Sequence, residues 1–238
     1  MIEMLGEPVL LLVVVGAGFV MDWLAVAFQW KRIKPFSKPL AMIILALSTV
    51  IAVGFEFDTF ILLLLLAEIF GLAGDIFLLL SNRWFVWGLV SFLFGHLCYI
   101  SLGAMLVFDK IQQWNLMGVT WRIGLCVLLW TAILGCFYFF FGKAYEKRHC
   151  TGLMWVAIQV YLWILSGLFV MTVFLILITP ITSWIMIVLP LGALLFVISD
   201  LLLACDRFLE EIPLAQLSVR MTYHLAQLGL AIGFLILK

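Results

Sequence analysis

Apolar residues come along this chain in long unbroken runs, separated by short polar clusters. Stretches such as Phe60–Leu66 and Trp184–Val197 are apolar on every side. A barrel strand alternates apolar and polar positions over about ten residues, and no such alternation is present. Runs of roughly 20 apolar residues are instead the length of a membrane-crossing helix. The pattern predicts helices near 8–30, 39–55, 59–80, 84–108, 119–141, 152–178, 182–205 and 214–237. The breaks fall at Lys31–Pro39, Glu56–Asp58, Ser81–Arg83, Asp109–Gln113, Gly142–Thr151, Pro180 and Asp206–Pro213. Such short connections force neighbouring helices to run antiparallel. The expectation is an all-α polytopic transmembrane bundle over 1–238, a single domain with no soluble part and no internal repeat.

Composition makes lipid the required solvent. The chain is 67% hydrophobic and 11% charged, against about 45–50% apolar and about 25% charged in a soluble domain. A 238-residue protein of this kind has too few polar groups to cover itself in water. In hydrocarbon every backbone N–H and C=O must be satisfied within the protein, which leaves helices or closed barrels. The net charge is zero, so no nucleic-acid partner is expected, and nothing points to an obligatory protein partner. Cys98, Cys126, Cys136, Cys150 and Cys205 have no paired spacing and read as small hydrophobes. The N-terminus has no basic region before its first apolar run, unlike a cleaved signal peptide.

Basic residues orient the bundle. Lys31, Arg32, Lys34, Lys38, Arg83, Lys143, Lys147, Arg148 and Arg207 fall on the side of the odd-numbered loops, whereas Lys110, Arg122 and Lys238 fall opposite. The odd loops are therefore expected in the cytosol, with the chain in an inner bacterial membrane or an endoplasmic reticulum membrane.

Charged groups inside a span are costly, about 2.5–3.5 kcal/mol for an ionised Asp at a helix centre, and so mark candidate sites. Asp22, Glu68, Asp75, His96, Asp200, Arg220, His224 and Gln227 are the polar residues to be accommodated. Asp75 lies six residues before Ser81, and Asp200 six before Asp206. Asp22 lies nine before Lys31, and Arg220 six after Leu214. At 1.5 Å per residue all four sit roughly 9–14 Å from the cytosolic face. This common depth predicts one polar pocket opening to that leaflet around Asp75 and Asp200. Bland alternatives stand beside it. Asp75 or Asp200 as a structural acceptor paired with Arg220, Asp22 snorkelling from a helix end, and His96 bonded to a backbone carbonyl are all compatible with the sequence. His96 with Tyr99, and Tyr223 with Gln227, share helix faces deeper in the membrane. His96, His149 and His224 show no HxxxH or HExxH spacing, so neither a metal site nor a cofactor is expected.

The polar positions sit in strings that resemble the YhhN family of membrane proteins, which includes lysoplasmalogenases. These are KPL at Lys38–Leu40, GDIFLLL at Gly74–Leu80 and FVWGLVSFLFGHLCYI at Phe85–Ile100. GALLFVISDLLLACDRF at Gly192–Phe208 and TYHLAQ at Thr222–Gln227 complete the set. The resemblance carries over Asp75, His96, Tyr99, Ser199, Asp200, Phe208, Tyr223 and Gln227. Asp206 and His224 depart from the family pattern, and Asp22, Glu68 and Arg220 are not family positions.

The resemblance implies an ether hydrolase acting on a lysoplasmalogen, an event of lipid metabolism that releases a fatty aldehyde and a glycerophospho-ethanolamine or -choline. A vinyl ether hydrolyses by protonation on carbon, addition of water to the resulting oxocarbenium ion, and collapse of the hemiacetal. Two carboxyl groups of different proton affinity suit this chemistry. Asp75 and Asp200 are expected to be catalytic, with His96, Tyr99, Ser199, Tyr223 and Gln227 orienting. Lys38, with Arg83 or Arg207, is expected at the lipid phosphate. A small transporter or a lipid-sensing protein would use the same intramembrane carboxylates, although the paired broken helices of many transporters are absent.

Overall fold

The computed structural model describes residues 2–112, 116–148, 152–179, 187–208 and 211–238. It is 89% helical, and among the described residues there is no strand and eight helices are long and apolar enough to cross a membrane. They are α1 (Ile2–Ala27), α2 (Lys34–Ala52), α3 (Thr59–Leu79), α4 (Phe85–Ile111), α5 (Leu116–Arg148), α6 (Gly152–Ile178), α7 (Val188–Phe208) and α8 (Ala215–Leu237), with a 3-10 turn at Asn82–Trp84 before α4. Local chemistry starts several of them. Asp58 caps α3 by accepting from the Ile61 amide at 2.9 Å, which satisfies one of the free N–H groups of a helix start.

Several boundaries differ from the sequence expectation, the first helix among them, which begins at Ile2 and not near residue 8. The first polar loop ends earlier, since α2 begins at Lys34 and carries Pro39 inside it. Pro35, in the first turn, forfeits no intrahelical donor, whereas Pro39, in the second, gives up one i→i−4 bond within a helix that continues past it. As a result Lys38 sits on a helix and not in a loop. The expected break at Gly142–Thr151 is helical as far as Arg148, because Lys, Ala, Glu and Arg form good helix in water once the chain has left the membrane. Helix α4 likewise runs past Asp109 to Ile111. Residues 182–186, expected to open the seventh helix, and His149 and Cys150 lie outside the described residues, as does the side chain of Phe208.

Packing follows the order α1, α2, α3, α4, α6, α7, α8 and back to α1, which closes a ring. Helix α8 also touches α2 and α4, and α5 leans mainly on α6 from outside. Helix α5 accordingly leaves Trp121, Val127 and Leu128 more than half exposed, as expected of a surface bathed in lipid.

The closest approach is between α7 and α8. A Cβ on Gly192 would stand 2.8 Å from backbone atoms of Gly229 and Leu230. Helices in lipid associate through such small-residue contacts, because no hydrophobic force separates them from the solvent. This seam holds α7 and α8 rigidly, and with them Asp200, Arg220, Tyr223 and Gln227.

Candidate functional site

One stripe of α3 carries Glu68, Gly71 and Asp75, all buried and spaced so that they share a helix face. Gly71 opens a slot: a Cβ there would lie 2.6 Å from Gln227 Nε2 and 2.9 Å from the Tyr223 hydroxyl. Through this gap α8 brings Tyr223 and Gln227 against α3. Above the gap, Lys38 Nζ of α2 lies 2.6 Å from Asp75 Oδ1, the two side chains being 8% and 0% exposed. The same ammonium stands 4.5 Å over the Tyr223 ring. The Tyr223 hydroxyl reaches the Asp75 carboxylate, yet neither Asp75 oxygen has a well-aligned hydrogen bond to a described residue.

Below the gap, the Tyr99 hydroxyl donates to Gln227 Oε1 at 2.6 Å, and Gln227 Nε2 donates to the Tyr223 hydroxyl at 3.2 Å. Glu68 accepts from Thr49 at 2.8 Å and lies near enough to Tyr99 to act on it electrostatically.

A second cluster joins α1, α2 and α8. Arg220 bonds Asp22 Oδ1, which also accepts from Ser37 at 2.6 Å. Trp23 Nε1 donates to His224 Nδ1 at 3.1 Å, and the imidazole stacks on Phe19 at 4.5 Å. Asp22 is wholly buried, so it does not snorkel from a helix end, and it takes the guanidinium that the sequence made available to Asp75 or Asp200. Burial enforces this: an uncompensated ion in the interior would cost several kcal/mol.

Asp200 is held differently. Tyr161 of α6 bonds its Oδ2, and no cation is bonded to it among the described residues. Lys38 and Asp75 are still close enough to act on it through space. His96 packs edge-on against Phe196 at 4.5 Å and Tyr161 at 5.6 Å, with neither ring nitrogen in a well-formed hydrogen bond. Ser199, expected to orient the site, spends its hydroxyl on the helix seam. Its hydroxyl donates to the Val219 carbonyl at 3.1 Å and ties α7 to α8.

The cavity follows from these positions. A space of about 460 Å³ is lined by Lys38, Asp75, Asp206, Arg207, Gln216 and Arg220, among others. It opens at the end of the bundle that the basic residues assign to the cytosol, and its volume lies within the range of small-molecule sites. Asp200 does not line it. Instead Asp200 and Tyr161 line a neighbouring space of about 30 Å³, large enough for water. Phe85 and Leu203 line both spaces. The single pocket expected from depth is thus two adjoining spaces with a shared apolar wall, because Tyr161 draws Asp200 towards α6. Lys38, expected at a phosphate, is engaged by Asp75. Arg207 lines the cavity with its guanidinium 5.0 Å over the Phe85 ring, and Arg83 sits 6.0 Å over Trp84.

Tyr161, Ser37 and Gly71 were not singled out by sequence. Tyr161 had one signal, being a phenol two residues from Gln159 inside the largely apolar α6. Among the described residues no three His, Cys, Asp or Glu side chains converge as metal ligands.

No curated protein and no solved structure matches the chain. The model of the YhhN family matches residues 33–234, which takes in α2 through most of α8 and with them Lys38, Asp75, His96, Tyr99, Asp200, Tyr223 and Gln227. With most of its length matched, this eight-helix protein belongs to the YhhN family.

Proposed function

We propose that the protein hydrolyses the vinyl ether bond of a lysoplasmalogen in the membrane, releasing a fatty aldehyde and a glycerophospho-headgroup alcohol. The observation that carries this reading is the unequal pairing of two neighbouring buried carboxyl groups. Asp75 is paired with a lysine and Asp200 with a neutral phenol. Asp75 has an ammonium beside it to balance a negative charge, which suits a base, whereas Asp200 has no cation bonded to it among the described residues and keeps Oδ1 clear of the Tyr161 bond, which suits a proton donor. Family membership supports the reading.

The roles follow from the chemistry. Asp200 gives its proton to the alkenyl carbon remote from the ether oxygen, and the adjacent carbon becomes an oxocarbenium centre. Asp75, an anion in a low-dielectric site, stabilises that positive charge and accepts a proton from the water that adds to it. The hemiacetal then breaks its bond to the glycerol oxygen, which takes the proton held by Asp75, while the hemiacetal hydroxyl proton returns to Asp200 as the aldehyde forms, restoring both carboxyl groups. The polar headgroup would occupy the 460 Å³ cavity, where Arg207 and Arg220 suit a phosphate. The alkenyl chain would pass between Phe85 and Leu203, which line both spaces.

The test is aldehyde release from a lysoplasmalogen by the detergent-purified protein, with a lysophospholipid bearing an ester chain as control. Asp75→Asn and Asp200→Asn are each expected to abolish release while the protein still inserts and purifies. Near wild-type turnover by either variant overturns the pair. Lipid binding without turnover by the native chain would identify a lipid-binding protein instead.

A further inference from the structure

We infer that Tyr99 and Gln227 are positioning residues whose task is to aim the Tyr223 hydroxyl proton at Asp75; this deepens the hydrolase reading and rests on it for the consequence in rate. The inference comes from the direction of donation along the chain. Each phenol has one proton, and a primary amide has an acceptor end and a donor end. Tyr99 gives its proton to Gln227 Oε1 at 2.6 Å. That fixes the amide so that Nε2 faces Tyr223 and donates to its oxygen at 3.2 Å. With its oxygen already an acceptor, Tyr223 does not spend its own proton on the amide, and that proton is left for Asp75, which lies one helical turn from Gly71, whose Cβ position is 2.9 Å from the Tyr223 hydroxyl.

Reversing the amide reverses the outcome. Without the Tyr99 hydroxyl, Oε1 is free to turn towards Tyr223 and take its proton, which is then no longer available to Asp75. Asp75 would then have Lys38 alone, 2.6 Å away on one oxygen. A residue more than one side chain removed from the cavity thus decides how the carboxylate is hydrogen-bonded.

The surroundings are built to keep this arrangement in place. Tyr99, Tyr223 and Gln227 are each no more than 2% exposed, so water does not compete for the amide. Tyr99 stacks on Phe234 with 4° between the rings, and Lys38 covers the Tyr223 ring. Gly71 is the opening that lets both α8 side chains reach α3, since a methyl group there would overlap both. Nothing in the ring packing of Tyr99 needs its hydroxyl, so Tyr99→Phe removes the directing proton and keeps the stack.

Two measurements on the full-length protein in detergent test this. With a lysoplasmalogen as substrate, Tyr99→Phe is expected to lower kcat about tenfold or more with KM within about twofold, the signature of an interaction that serves the transition state. Gly71→Ala, which displaces the same groups from the α3 side, should share that split. Unchanged kcat in Tyr99→Phe overturns the inference, and so does a loss that appears in KM alone.

The second measurement does not need turnover. The infrared carboxylate band assigned to Asp75 by its disappearance in Asp75→Asn is expected to shift in Tyr99→Phe, and an unshifted band overturns the network. Absence of aldehyde from the native protein would sink the hydrolase reading, and the infrared band would still decide the positioning network.

Discussion

Lys38 Nζ of α2 lies 2.6 Å from Asp75 Oδ1 of α3, in a place that leaves the carboxylate no solvent at all. Removing one member of a buried pair strands the other charge, at a typical cost of about 3–5 kcal/mol. Lys38→Met and Asp75→Asn should therefore each lower thermal stability in detergent. The double variant should recover much of the loss, because two neutral groups leave nothing uncompensated. All three should be inactive in aldehyde release. Additive losses in the double variant would show that the two residues do not act as a pair.

Arg220 and Asp22 offer a second cycle, with a different expectation for activity. This pair joins α1 to α8, and only Arg220 lines the cavity. Arg220→Gln alone leaves Asp22 with Ser37 as its donor and should destabilise strongly. Asp22→Asn together with Arg220→Gln should restore folding. If Arg220 also holds the substrate phosphate, the double variant should show a raised KM on a lysoplasmalogen, with kcat changed far less. A KM equal to that of the native protein would confine Arg220 to a structural role.

Gly192 meets the backbone of α8 closely enough that any side chain must push the helices apart. Overpacking of this kind costs about 1–3 kcal/mol. Gly192→Ala should lower the melting temperature, and Gly192→Val more so, whereas Gly135→Ala on α5, where a Cβ meets nothing within 4 Å, should be neutral or nearly so. Equal effects at the two sites would argue against a tight α7–α8 seam.

Asp58 and Lys238 pair at 2.7 Å at the opposite end of the bundle, outside the spans. The hydrogen bond from Lys238, followed by the Ile61 amide, holds the Asp58 carboxyl below its ordinary value of 3.8. A group whose proton affinity falls on folding contributes stability above its unfolded value and loses it as pH drops through the folded one. The contribution should be intact at neutral pH and disappear below about pH 3.8. Both partners are exposed, so the effect is small and shrinks with salt. In Asp58→Ala the thermal stability should show less acid dependence in that window; an unchanged acid profile would mean that the cap and the ion pair contribute nothing.

Much of this architecture was legible in the chain. Eight spans followed from apolar run length alone, and each helix has its counterpart in the sequence pattern. The boundaries misplaced at Lys34, at Asp109–Ile111 and at Gly142–Arg148 share one cause: polar residues were taken as loop, but outside hydrocarbon they form helix as readily as apolar ones. The depth of Asp22, Asp75, Asp200 and Arg220 was readable too, because rise per residue converts sequence position into height within the membrane.

Which groups meet at that height was not readable. Depth places residues on a level, while azimuth around each helix and the order of helices in the ring decide partners. Arg220 went to Asp22 and Lys38 to Asp75. Tyr161, from a helix with almost no polar pattern, took Asp200. By itself, then, the sequence determined a lipid-solvated eight-helix bundle with its carboxylates near one face, since hydrophobicity and helical rise are local properties. Only the tertiary structure decided that Asp75 is lysine-paired, that Asp200 is phenol-held in a separate space, and that Tyr99 directs Tyr223, because hydrogen-bond partners across 20 to 200 residues depend on packing that no local signal encodes.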